Sequence, residues 1–268
     1  MEQKIQLIVF DWAGTTVDYG SCAPTEVFNQ VFISAGIHLT REEINRPMGL
    51  EKKAHIRELL SGENGSKQWQ QIYGRMWTEE DVENLFQKFE ETLYEVVAGY
   101  SKPIEGAAKT VQTLKAQGLL IGSTTGYHSK IMERVIPLAA EAGYAPDCVV
   151  TPDVTGGIGR PSPFMLFECM RKLNVYPPSH VIKVGDTVAD ILEGKNAGAW
   201  SIGILTASNL LGLTEEEYQS MDPEDLKARK QRAAEIYKNA GADMVIDTIA
   251  DLVPAVEEIN RRLEKEAF

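Results

Sequence analysis

Asp11 ends the apolar run Ile5-Gln6-Leu7-Ile8-Val9-Phe10, and the small, turn-forming Gly14-Thr15-Thr16 follow within three residues. A run of that length closed by a turn signal reads as a buried parallel strand, with Asp11 just past its carboxyl end. Ligands of open α/β sheets bind at that edge. Backbone N–H groups in a Gly14-Thr15-Thr16 loop suit a phosphate or another anion. An anionic nucleophile facing an anionic ligand needs a cation between them, which points to Mg²⁺. A second carboxylate stands in Gly185-Asp186-Thr187-Val188-Ala189-Asp190, where another apolar strand ends. Asp186 and Asp190 share a face if the helix has already begun, and hard oxygen ligands suit Mg²⁺. Gly-Asp-Thr is also an ordinary helix N-cap; the pairing with Asp11 favours the metal.

Three further groups bear on the same chemistry. Ser123-Thr124-Thr125-Gly126 closes a third strand with hydroxyls that suit a phosphoryl oxygen or, equally, a turn and N-cap. Arg160, in Gly159-Arg160-Pro161, offers a two-pronged grip on phosphate, although a lone loop arginine also reads as surface. In Pro47-Met48-Gly49-Leu50-Glu51-Lys52-Lys53-Ala54-His55, a helical wheel puts Lys52 between Ile56 and Leu59 and beside His55, whereas Lys53 projects towards Arg57. Desolvation on that apolar side leaves a neutral amine able to attack a carbonyl. A lysine that lays its stem on the core and reaches water fits the same wheel. Gly156-Gly157-Ile158-Gly159 neither follows a clear strand nor completes a dinucleotide-binding spacing.

The elements that must position these groups fall into two patterns. Residues 21–99 read as all-helical: Pro24–Ala35, a short helix opened by the Thr40/Glu43 capping box, Leu50–Leu60, Lys67–Met76, and a long helix carrying Val82, Leu85, Phe86, Phe89, Leu93 and Val96. The polar Ser61-Gly62-Glu63-Asn64-Gly65 stretch reads as a loop. From Pro103 onward strands alternate with amphipathic helices: Leu119–Ser123, Cys148–Val150, Val181–Val184, Ser201–Ile204 and Met244–Ile246, a sheet that Ile5–Phe10 must join. The expected architecture is α/β, a doubly wound, mostly parallel sheet over 1–20 and 100–268, with an all-helical insert at 21–99 lying over its carboxyl edge like a lid. The linkers near Gly20 and Gly99–Pro103 would be paired hinges, and the charged stretch Asp222–Lys238 a solvated helix face.

With 39 acidic and 27 basic residues in 268, the net charge of -12 argues against a nucleic-acid or anionic-membrane surface. Cys22, Cys148 and Cys169 are odd in number and widely spaced, which fits free thiols rather than a disulfide framework or a zinc site. No cationic leader with a long apolar core and no membrane span is visible, so the expected setting is the cytoplasm.

The four motifs, taken in order and spacing, resemble the haloacid dehalogenase superfamily, and the helical insert matches that superfamily's cap domain. One departure is informative. Superfamily phosphatases and mutases carry a general acid/base Asp two residues after the nucleophile, and here that place is Ala13. Together with Ala13, Pro-Met-Gly-Leu-x-Lys and Asp-Trp-Ala-Gly-Thr-Thr-Val-Asp-Tyr-Gly resemble the phosphonoacetaldehyde hydrolase family. The resemblance implies cleavage of a phosphorus–carbon bond in a small phosphonate, with Lys52 forming a Schiff base and Asp11 an aspartyl phosphate. It implies Mg²⁺ on Asp11, the Ala13 carbonyl and Asp186, with Asp190 orienting a metal-bound water. Arg160, standing where the superfamily usually has Lys, would grip the phosphoryl oxygens with Thr125. His55 would shuttle protons, while Thr15, Met48, Gly49 and Gly126 would complete the substrate side. A homodimer is implied as well, with the Val27–Ala35 helix as one contact surface or simply part of a cap core. The family often has a cysteine directly after Gly20; Ser21 and then Cys22 stand here without an assigned role. A phosphatase or phosphomutase, a haloacid dehalogenase and a phospho-acceptor signalling module are the competing readings. Ala13 opposes the first, Lys52 the second, and the helical insert the third.

Overall fold

The structure, a computed structural model, describes residues 4–266. The apolar runs become β1 (Leu7–Phe10), β2 (Leu120–Thr124), β3 (Cys148–Val150), β4 (Val181–Gly185), β5 (Trp200–Ile204) and β6 (Met244–Ile246). All pair in parallel, in the order β3-β2-β1-β4-β5-β6. Phe10 pairs with Ser123 on one side and Val184 on the other, so Asp11, Thr124 and Gly185 emerge level at the carboxyl edge. The chain leaves β1 for β2 on one side and returns to β4 on the other, which makes this the switch point where such sheets open a crevice.

Five helices follow β1: α1 (Cys22–Ser34), α2 (Arg41–Asn45), α3 (Lys52–Ser61), α4 (Glu63–Tyr73) and α5 (Glu79–Val96). Seven more alternate with the remaining strands: α6 (Ala107–Ala116), α7 (Ser129–Glu141), α8 (Phe164–Leu173), α9 (Val188–Ala197), α10 (Glu215–Ser220), α11 (Pro223–Asn239) and α12 (Leu252–Glu266). Alternate residues of β1 enter different cores, as a sheet covered on both faces requires. Leu7 and Val9 pack with Met165, Leu166 and Ala197, while Ile8 and Phe10 join Ala107, Ile131 and Ile259. The second of these cores runs on without a break into Phe28, Phe32 and Phe89 of the insert.

The two connections between insert and sheet run side by side. Val17 bridges Pro103, and the Ile104 N–H donates to the Thr16 carbonyl at 2.8 Å. Asp18 and Ser21 sit at φ 54° and 53°, turning the chain sharply into α1, whose first N–H groups Asp18 caps.

One expectation is corrected. The Ser61–Gly65 stretch is not a loop: Gly62 separates α3 from α4 by a single residue, and a Cβ on Gly65 would sit 2.1 Å from the Leu59 carbonyl oxygen. Glycine is there to let two helices touch. The charged Asp222–Lys238 segment is, as expected, a helix with a solvated charged face; α11 buries only Ala233 and Tyr237 on its other side. Residues 1–3 and 267–268 of the predicted core segments lie outside the described residues.

Candidate active site

The turn after β1 is closed by one carbonyl. Trp12 accepts from the N–H groups of Thr15, Thr16 and Val17 at 3.1, 2.8 and 3.0 Å, and the Gly14 N–H goes to Val17 and Asp18. These donors are therefore engaged inside the loop rather than offered to an anion, a correction to the sequence expectation. Gly14 has φ 80°, and a Cβ there would lie 2.1 Å from Asp186 Oδ2. No other residue fits. Thr15, expected on the substrate, turns its hydroxyl to donate to Asp186 Oδ1 at 2.9 Å.

Asp186 precedes the helix instead of lying on it. Thr187 caps α9 and Asp190 completes the capping box, so the cap reading and the separate carboxylate coexist. Asp186 is fully buried; its Oδ2 accepts from the Asn209 N–H at 2.8 Å and the Ser21 hydroxyl at 3.4 Å. The Tyr237 hydroxyl donates to the Asp186 backbone carbonyl at 2.6 Å. Burial first, then the charges of Asp11 and Asp190, push the Asp186 carboxyl well above the usual range.

Beneath these acids lies a buried ionic cluster. Arg160 reaches Asp11 at 2.6 Å, Asp190 at 3.0 Å and Glu193 at 3.1 Å, and donates to the Thr124 hydroxyl at 3.1 Å. Lys183, in the middle of β4, meets Asp190 at 2.9 Å, Glu193 at 3.0 Å and Thr124 at 2.8 Å. Thr124 thus shares Arg160; neighbouring Thr125 lines the cavity and accepts the Tyr127 N–H at 3.1 Å.

Asp11, Asp186 and Asp190 bring carboxylate oxygens within 4.8 Å of one another, a group that could hold a metal ion. Four buried carboxyl groups (Asp11, Asp186, Asp190, Glu193) outnumber two buried core cations (Arg160, Lys183) by two. Hard oxygens in that excess fit Mg²⁺. Asp190 is matched by both Arg160 and Lys183, whereas Asp11 meets only Arg160 of the two and Asp186 meets neither.

The insert supplies the opposite wall. Lys52 is 4% exposed, with Nζ 5.6, 5.9 and 5.3 Å from the ring centres of Phe28, Phe89 and Tyr127 and 3.9 Å from Met48 Sδ. Lys53 turns outward to Glu83 at 2.6 Å. Burial, only partly countered by Asp11, lowers Lys52 from an ordinary 10.5 to about 8. His55 is fully buried and stacks on Phe28 at 4.0 Å. A carbonyl can only accept, so the 2.9 Å contact to Ile44 fixes the proton on Nε2 and leaves the Nδ1 lone pair free to accept. Burial holds this ring well below the usual imidazole range.

One cavity of about 20 Å³ joins the two walls. Of the predicted residues, Asp11, Ala13, Met48, Gly49, Lys52, Thr125, Gly126 and Arg160 line it; Ser21, Pro24, Tyr127 and Thr187 line it too. Thr15, Asp186, Asp190 and His55 stand one layer behind.

Known proteins match this arrangement along nearly the whole chain. A family model described as haloacid dehalogenase-like hydrolase matches residues 5–198. A phosphonoacetaldehyde hydrolase from Bacillus cytotoxicus is 43% identical over 259 residues, 97% of this chain and 98% of the relative. One from Bacillus mycoides is 44% identical over 260 residues, with the same shares covered. The chain belongs to the phosphonoacetaldehyde hydrolase family. It is an enzyme, a haloacid dehalogenase-like hydrolase. A crystal structure of a phosphonoacetaldehyde hydrolase-like protein from Oleispira antarctica superposes with a TM-score of 0.94 at 36% identity, covering 97% of this chain and 94% of that one. A β-phosphoglucomutase-like protein from Bacteroides vulgatus, at 16% identity and a TM-score of 0.68, shares the fold.

Within this family member, the sequence reading passed over Lys183 and Glu193, gave no role to the lining residues Ser21, Pro24, Tyr127 and Thr187, and quoted Thr124 only as part of its strand-end motif. A lysine inside a central parallel strand demands a buried partner, and Glu193 stands three residues after Asp190 on the same helix. That signal was readable. The Asn209 and Tyr237 contacts to Asp186 come from distant segments and carried none. Among the described residues, no helix is long and apolar enough to cross a membrane.

Proposed function

We propose that the enzyme hydrolyses the phosphorus–carbon bond of phosphonoacetaldehyde to acetaldehyde and phosphate, with residues 21–99 acting as a cap domain over the core. The observation that carries this reading is Lys52: an amine lowered to about 8 that lines the same cavity as Asp11, in a site where Ala13 occupies the place of a general acid. At pH 7.5 about a quarter of such an amine is neutral, against about a thousandth of an ordinary lysine.

A phosphonate carbon leaves as a carbanion unless an electron sink adjoins it. Lys52 adds to the aldehyde and expels water, giving an iminium one bond from that carbon. Asp11 attacks phosphorus, the P–C electron pair moves into the iminium, and an enamine and an aspartyl phosphate result. Protonation and hydrolysis of the enamine release acetaldehyde and free Lys52; water cleaves the acyl phosphate. His55, one helical turn from Lys52 with Nδ1 unpartnered, would exchange protons during imine formation. Arg160, aided by Thr125 and Gly126, binds the phosphoryl oxygens, Met48 and Gly49 seat the two-carbon unit, and Thr15 holds Asp186 in place from behind. Asp11, Asp186 and the Ala13 carbonyl would hold Mg²⁺, with Asp190 alongside, and the ion supplies charge compensation between carboxylate and phosphonate.

A cavity of about 20 Å³ has room for about one water molecule, so substrate entry requires the cap to swing away and reclose. We place the enzyme in the cytoplasm, in keeping with its free cysteines, and take it as a homodimer from the family resemblance alone. The direct assay supplies phosphonoacetaldehyde with Mg²⁺ and follows both products. Equal release of acetaldehyde and phosphate is expected. Faster turnover of simple phosphate esters would contradict the proposal and favour a phosphatase.

A further inference from the structure

A histidine outside the catalytic cluster joins the core to the cap beside Lys52. His128 ends the loop after β2 and is the N-cap of α7, yet its Nε2 lies 3.3 Å from Glu51 Oε1 and its Nδ1 3.7 Å from Glu90 Oε1. Both carboxylates belong to the insert: Glu51 immediately precedes Lys52, and Glu90 lies on α5. The Phe86 ring, also on α5, is 5.1 Å away.

Glu51 has a second task. Its two oxygens accept the N–H groups of Lys53 and Ala54, each at 3.0 Å, which caps the helix that presents Lys52. Its Cβ packs over Gly159, next to Arg160. A cation on His128 therefore grips the cap through the residue that starts the lysine helix, and the same ring bridges to a second cap element.

We propose that His128 is a positioning residue, a latch that holds the cap closed and Lys52 in place through Glu51 and Glu90. The inference rests on the reading that the cap opens and recloses around an amine-bearing helix. The groups facing the ring are Glu51 and Glu90 from the cap and Asp153 from the core; Lys130 acts on Glu90 from the same helix as His128, and Lys52 and Lys53 adjoin Glu51. The carboxylates raise His128 above its ordinary 6.5 in the closed state, against the effect of burial. The latch is therefore fully engaged below 6.5 and fades as pH rises through the raised value.

The test compares the full-length enzyme with His128→Gln, Glu90→Gln and His128→Lys at pH 6.5 and 8.5. Two readouts are taken: backbone hydrogen exchange over residues 47–55 in the free protein, and KM and kcat with phosphonoacetaldehyde. Both neutral variants should speed exchange and raise KM by about 3- to 10-fold at pH 6.5, with a smaller effect at pH 8.5 and kcat within about 2-fold. His128→Lys, cationic at both pH values, should keep protection at pH 8.5 where the wild type loses it. Wild-type exchange in His128→Gln at pH 6.5, or an effect equal at both pH values, overturns the latch. Exchange needs no substrate, so a failure of the phosphonate assay strikes the proposed function while the latch is still decided.

Discussion

Replacing Lys52 with Met should make the protein more stable while removing its activity. Lys52 falls from 10.5 to about 8 because burial disfavours the ammonium. At about 1.4 kcal/mol for each pH unit, that is a penalty of about 3 kcal/mol. Below pH 8 the amine is protonated in both the folded and unfolded chain, and the penalty is complete. Between about 8 and 10.5 the unfolded chain holds the proton that the folded chain has lost, so wild-type stability rises with pH across that window. The ammonium recovers some energy from the rings of Phe28, Phe89 and Tyr127, all within 6 Å, worth about 1 kcal/mol in sum at these longer distances. Methionine fills similar volume beside Met48 without a charge. The net gain is about 2 kcal/mol at pH 7, or roughly 4–8 °C in melting temperature. It should shrink towards zero by pH 10.5. Thermal unfolding of both proteins at pH 7 and pH 10 checks this. A Lys52→Met protein that melts lower than wild type, or a gain that does not depend on pH, would refute a desolvated lysine held against its own preference.

The ionic cluster should respond in the opposite direction. Lys183→Met leaves Asp190 and Glu193 sharing Arg160 alone and should cost about 3–5 kcal/mol in urea unfolding, with part of the loss restored by adding Glu193→Met; a change under about 1 kcal/mol would show that the cluster does not need Lys183. Ala13→Asp introduces a further carboxylate to a site that already holds two more buried acids than core cations, so phosphonate turnover should fall by at least about tenfold without a general phosphatase appearing. Efficient hydrolysis of p-nitrophenyl phosphate by that variant would mean that specificity is set elsewhere. In the wild type, the pH profile of kcat, which the latch leaves nearly unchanged, should rise through about 8 as Lys52 loses its proton, and a profile flat from pH 6 to 9 would assign the nucleophilic amine to another group.

Much of this site was legible because strand ends announce themselves. Asp11, Thr124 and Asp186 each close an apolar run, and a parallel sheet delivers such ends to one edge. Lys52 was separable from Lys53 by helical phase alone, since one side of α3 carries Ile56, Leu59 and Leu60 and the other carries Arg57 and Glu58. The misses have physical causes. Gly65 looked like a loop breaker because sequence does not reveal whether a glycine bends the chain or admits a neighbouring backbone. Asp186 and Asp190 were to share a helix face if the helix had begun; Asp186 instead precedes α9, and it is the capping box that brings Asp190 within reach of it, where Arg160 and Lys183 pair Asp190. The Glu51–His128 contact joins residues 77 apart through docking of the insert on the sheet, which no local pattern encodes.

The central claim is a covalent one, that Lys52 condenses with the substrate aldehyde. Borohydride reduction during incubation with phosphonoacetaldehyde, followed by peptide mass mapping, reads it directly. A reduced two-carbon adduct on Lys52, absent without substrate and absent in Lys52→Met, is the predicted result. Phosphate release with no trappable adduct, or an adduct on any other lysine, would contradict it.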